Sequence, residues 1–116
     1  MTIGEITEII EADVISDSAP ETVVLRACAC DLLSDVLRCV SEEKAILLTN
    51  LTHAQTVRVA EMVDATAVCF MRGKMPGDDA VKLAREKGIV LLSTRLTTYE
   101  ASGKLYDRGL PGCGHE

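Results

Sequence analysis

Aromatic side chains are scarce in this chain: Phe70, Tyr99 and Tyr106 are the whole complement, and tryptophan is absent. A core must therefore be built from leucine, valine, isoleucine, alanine and methionine, and the stacking platforms used by single-stranded nucleic-acid binders are missing. Long apolar runs are lacking too. No stretch approaches the roughly 18 consecutive apolar residues of a membrane span, and Met1-Thr2-Ile3-Gly4-Glu5 is not a basic segment leading into an apolar one. A soluble, cytoplasmic protein without a membrane partner is expected. Basic charge is in short supply as well: 12 Lys and Arg stand against 18 Asp and Glu, and the net charge of -6 repels phosphate backbones. Nucleic acid is not an expected partner. There is no Gly-x-x-x-x-Gly-Lys-Ser/Thr loop and no Gly-x-Gly-x-x-Gly after a strand, and neither His53 nor His115 has a nucleophile beside it in sequence. With no catalytic motif, the expectation is a protein that is not an enzyme.

At 116 residues and 47% hydrophobic, the chain can close one core and is too short for two ordinary domains. Its clearest stretch is Val68 to Thr98. Ala67-Val68-Cys69-Phe70 and Ile89-Val90-Leu91-Leu92 are unbroken apolar runs, and Asp78 to Lys87 between them carries Ala80, Val81, Leu83 and Ala84 at helical spacing. This reads as a βαβ unit. Continuous apolar strands belong to a parallel sheet covered on both faces, so the fold class expected is α/β: a single three-layer domain with a mostly parallel sheet and helices on both faces.

The rest of the chain fits that plan. Thr2 with Glu5 has capping-box spacing ahead of Ile3, Ile6, Ile9 and Ile10, which predicts a helix from Ile3 to about Ala12. Val14-Ile15 and the β-branched stretch Thr22 to Ala27 read as two strands around a polar loop, a first hairpin. Asp31 is placed to cap a helix to Val40 whose Leu32, Leu33, Val36, Leu37 and Val40 form one stripe, facing a core or a partner. Ala45 to Thr49 reads as a strand, and Thr52 with Gln55 as a capping box for a helix ending near Asp64. Thr97 with Glu100 repeats the box for a last helix to about Asp107, before Gly109 and Pro111. Residues 1–108 are thus read as the domain and 109–116 as a flexible tail.

In a parallel sheet the loops leaving the carboxyl ends of the strands share one edge, where ligands settle. These loops hold Asn50, Thr52, His53, Arg72, Gly73, Lys74, Ser93, Thr94, Arg95 and Thr97, and each precedes a helix whose free amides and dipole favour an anion. They are the candidate ligand-binding residues, for a small anionic ligand. The competing reading makes Thr52 and Thr97 plain caps and the basic residues a solvated rim. Five cysteines, mostly inside apolar runs, read as reduced. Cys28 and Cys30 share one face of a strand, and with Cys113 and His115 they are the candidate metal ligands, against the simpler reading of small buried hydrophobes. The residues identify no cofactor.

Several segments together resemble the DRTGG domain: Asp31-Leu32-Leu33-Ser34-Asp35-Val36-Leu37, Asn50-Leu51-Thr52-His53, Gly73 before a Pro-containing loop, and Gly88-Ile89-Val90-Leu91-Leu92-Ser93-Thr94 with Thr97-Thr98-Tyr99-Glu100. Asp31, Ser34, Asp35, Gly73, Ser93, Thr94, Thr97 and Tyr99 match the pattern, whereas Arg72-Gly73-Lys74 and Asp17-Ser18-Ala19-Pro20 replace glycine-rich turns. That domain is similar to the N-terminal domain of HPr kinase/phosphorylase and to a regulatory segment of some phosphotransacetylases and CBS-containing pyrophosphatases. The resemblance implies a non-catalytic regulatory or ligand-sensing module that forms a homodimer and acts on a partner protein. A chain this small also buries only about 60–70% of its unfolded surface, and the Asp31 to Val40 helix or the strand before it is the expected interface. Free-standing members are similar to proteins encoded beside hydrogenase components, which implies the alternative of a metal or iron-sulfur accessory protein.

Overall fold

The unbroken apolar runs form the middle of one sheet. The computed structural model describes residues 1–16, 19–39 and 44–112. Its elements run α1 (Ile3–Ile9), β1 (Asp13–Val14), β2 (Arg26–Ala29), α2 (Leu33–Cys39), β3 (Ala45–Thr49), α3 (Ala54–Met62), β4 (Ala67–Phe70), α4 (Asp78–Lys87), β5 (Val90–Ser93) and α5 (Thr98–Asp107). The strands lie in the order β1-β5-β4-β3-β2, parallel from β2 to β5, with β1 antiparallel on β5.

From β2 to β5 each connection steps to the next strand in the same direction, so right-handed crossovers put α2, α3 and α4 on one face. Val36, Val57, Ala60, Ala80 and Ala84 there pack with Leu47, Val68, Phe70 and Leu91. On the other face, Ile3, Ile6 and Ile10 from the α1 segment and Ala101 and Leu105 of α5 pack with Ile46, Leu48, Cys69 and Leu92. Three layers result, and β3, β4 and β5 are buried along their whole length. The capping boxes of α1 and α5 both form, Thr2 and Thr97 each exchanging hydrogen bonds with Glu5 and Glu100. Gly88, at φ +71, takes the left-handed conformation that ends α4.

Several sequence expectations change. There is no first hairpin among the described residues, because β1 and β2 lie at opposite edges of the sheet. The Thr22-Val23-Val24 stretch pairs with the start of the chain instead, through Ile3 N–H to Thr22 O and Val24 N–H to Met1 O, and the strand proper begins at Arg26. The first helix stops at Ile9, two residues before Glu11 turns to φ +54. Asp31 spends its carboxylate on the β3 end, as described below. Thr52 does not cap α3: His53 occupies the cap position and makes no side-chain cap bond. In the α2 stripe Val36 is fully buried, whereas Leu32 and Leu37 are largely exposed. Val40 and the loop Asp17-Ser18 fall outside the described residues.

Candidate functional site

The carboxyl edge is built where β4 and β5 part company: β4 leads to α4 on one face and β5 to α5 on the other. Diverging connections of this kind open a crevice at the strand ends. Here backbone and side-chain hydrogen bonds tie the loops at its wall together. The β5–α5 loop crosses over β4, accepting from Arg72 N–H at Leu96 O (2.9 Å) and from Gly73 N–H at Thr94 O (2.7 Å). Ser93 Oγ donates to Lys74 O (2.9 Å). Thr94, fully buried, donates to Ile10 O (2.6 Å) and accepts from Leu96 N–H (3.2 Å). Ser93 and Thr94 are thus committed to holding loops together. Arg72 and Gly73 are the centre of a tight turn closed by Lys74 N–H to Met71 O (3.1 Å), with φ of 60° and 72°. Two positive φ values mark the mirror-image turn that asparagine and glycine favour; arginine adopts it at a steric cost.

The predicted residues separate into two groups along this edge. Arg72, Gly73, Ser93, Thr94 and Arg95 line a cleft of about 550 Å³ together with Glu11 and Asp13, so carboxylates accompany the two guanidinium groups. Asn50, Thr52 and His53 lie at the end of β3, and there the organising residue is Asp31. Its carboxylate accepts from Thr49 Oγ1 (3.0 Å), Asn50 N–H (2.7 Å) and Asn50 Nδ2 (3.0 Å). The same Asn50 Nδ2 donates to Thr98 Oγ1 (3.2 Å). Partial burial pushes the Asp31 carboxyl up, but the bonds from Asn50 and Thr49 outweigh it, helped by the charge of Lys74, and the net shift is downward. Asn50 Oδ1 is buried without a partner, one of two such side-chain atoms among the described residues; Ser102 Oγ is the other.

The helix N-termini along the edge differ. Those of α4 and α5 carry Asp78, Asp79 and Glu100 in the first turn. That of α3 has neither an acidic residue in its first turn nor a side-chain cap, and its dipole is the least compensated of the three. Thr97 forms the box with Glu100 and its hydroxyl is occupied. The sequence places the loops from Thr49 and up to Thr98 on this edge, but reads Asp31 as a helix cap and gives no place here to Glu11 and Asp13. The signal for Asp31 was present: a loop following β2 in a parallel sheet must end on the same edge as the loops following β3, β4 and β5.

Cys28 and Cys30 do share a face and pack against the α2–α4 layer. Cys30 Sγ sits 3.3 Å from Leu32 O and 3.5 Å from Leu32 N. Among the described residues no three His, Cys, Asp or Glu side chains gather as a metal site; Cys113 and His115 fall outside them. No helix of the described chain is long and apolar enough to cross a membrane.

No protein-family profile matches the sequence, and no curated protein does. Among solved structures, the chain is similar to the regulatory region of the Clostridium perfringens pyrophosphatase, comprising CBS and DRTGG domains complexed with the activator diadenosine tetraphosphate. The TM-score is 0.71 at 14% identity, and the match covers 95% of this chain and 47% of the other, so this chain spans about half that length. At that identity the likeness shows the fold alone: an α/β fold shared with about half of that regulatory region, in agreement with the three-layer domain expected from the sequence.

Proposed function

We propose that the protein is a non-catalytic regulatory module, acting as a homodimer on a partner protein, that senses a small phosphate-bearing ligand at the carboxyl edge of its sheet. The observation that carries this reading is the α3 N-terminus, free of acidic residues and side-chain cap, on the same edge as Lys74 and the Asp31–Asn50–Thr98 network. Amides of a helix N-terminus and an ammonium group act together on an anion. Each charge-assisted hydrogen bond contributes about 1.5–3 kcal/mol net, so two or three support micromolar to millimolar affinity after association costs. Such affinity suits a sensor of metabolite level. A nucleotide is the favoured class, because the structurally similar regulatory region is complexed with a dinucleoside polyphosphate. Arg72 and Arg95, tempered by Glu11 and Asp13, flank the site as a secondary anchor for a longer polyphosphate. Calorimetric titration with ATP, diadenosine tetraphosphate and inorganic phosphate tests the reading: saturable binding that weakens about tenfold in Lys74→Ala supports it. Heats that do not saturate, or that vanish with salt equally for every anion, reduce the edge to a solvated rim.

A further inference from the structure

Two of the three aromatic residues in the chain stand in water: Tyr99 is 88% exposed and Tyr106 76%. Both lie on α5, and with Ser102 and Gly103 between them they fall at i, i+3, i+4 and i+7, one stripe along the helix. Beside the stripe runs an apolar groove of about 650 Å³ between α5 and β2, floored by Leu48, Leu105 and Leu110. Gly103 weakens the middle of the helix it sits in. Nothing among the described residues requires it, since a Cβ built there meets none of their atoms within 4 Å. A glycine with no internal reason, centred between two exposed rings, is what a close helix–helix approach from outside calls for.

We infer that α5 packs antiparallel on α5 of a second copy, about a twofold axis passing between Ser102 and Gly103. A second copy fits better than another protein because the stripe is complementary to itself. With the axis there, Tyr99 of each copy meets Tyr106 of the other, and Glu100 comes within one residue of the other copy's Lys104, so opposite charges flank the crossing. The extent also agrees. An aromatic side chain buries about 150–250 Å², so at their exposures the tyrosines of two copies supply about 500–800 Å² of the 1,200–2,000 Å² typical of a stable pair. The groove walls between α5 and β2 supply more. This deepens the self-association part of the proposed function, moves the interface from α2 to α5, and stands apart from the ligand.

Sedimentation equilibrium of the full chain from about 1 to 200 µM tests it. The wild type is expected to dimerise reversibly with a micromolar Kd. Gly103→Gln should weaken the dimer at least about tenfold without lowering the melting point of dilute protein, because glutamine is the better helix former. The double variant Tyr99→Ala, Tyr106→Ala should weaken it by at least as much. A wild type that stays monomeric throughout overturns both the surface and the homodimer reading. A dimer that both α5 variants leave intact and Leu37→Asp dissociates overturns the α5 surface alone. An α5 stripe that captures a helix of another protein while the chain itself remains monomeric also overturns the inference.

Discussion

Replacing Asp31 by alanine strips one carboxylate from three donors at once. Thr49 Oγ1 belongs to a fully buried residue and is left without its acceptor, whereas the Asn50 groups lie near enough to the surface to turn to water. A hydrogen bond to a charged group contributes about 1.5–3 kcal/mol, and an orphaned buried donor costs a similar amount. One full loss and two partly compensated ones give about 2–3 kcal/mol of destabilisation. Asp31→Asn should cost about 1 kcal/mol, because its oxygen still serves Thr49 and the Asn50 amide while its NH2 opposes Asn50 Nδ2. The pH dependence is a sharper check. The folded-state carboxyl titrates below its ordinary value of 3.8, so its stabilising contribution is complete above about pH 4 and is lost as pH falls through the lowered value. Urea unfolding followed by circular dichroism should show the gap between wild type and Asp31→Ala at full size at pH 7 and shrunken at pH 3. A gap under about 0.5 kcal/mol at pH 7, or one equal at both pH values, refutes the assignment of Asp31 as the organiser of this edge.

Other substitutions probe the scaffold. Arg72→Asn should stabilise the protein by about 0.5–1 kcal/mol, because asparagine tolerates the positive φ that arginine is held in; a denaturation midpoint that falls would count against the turn. Thr97→Ala should cost about 1 kcal/mol by opening the α5 capping box, seen as an earlier thermal midpoint. Phe70→Ala, at a fully buried site between β4 and the α2–α4 layer, should cost about 3–5 kcal/mol, and a loss below 1 kcal/mol would place Phe70 outside the core. Cys69 is buried and its thiol is pushed up to about 12, so alkylation mapped by mass spectrometry should label it only after unfolding.

How far the sequence spoke depends on how local each determinant is. β3, β4, α4 and the two capping boxes at Thr2 and Thr97 were legible because unbroken apolar runs and S/T-x-x-E spacings carry their signal within a few residues. The placing of β1 and β2 was not. Both are short, and whether Val14 and Val24 pair with each other or with distant partners is settled by Leu92 and Met1 across the chain. At the edge, sequence brought the right loops together but took Asp31 for a cap. A carboxylate ahead of a helix satisfies that pattern equally well when its bonds go to Asn50, 19 residues away. Thr52 failed for a related reason: the capping-box spacing is local, and the helix begins one residue later than it implies, with His53 at the cap position.

Whether the carboxyl edge binds a ligand is decided by amide chemical-shift mapping. Labelled protein titrated with diadenosine tetraphosphate at moderate salt should show saturable shifts concentrated at Asn50 to Ala54 and Arg72 to Lys74, halved or more in Lys74→Ala. Shifts scattered over the surface, linear to millimolar ligand and indifferent to Lys74→Ala, would contradict it.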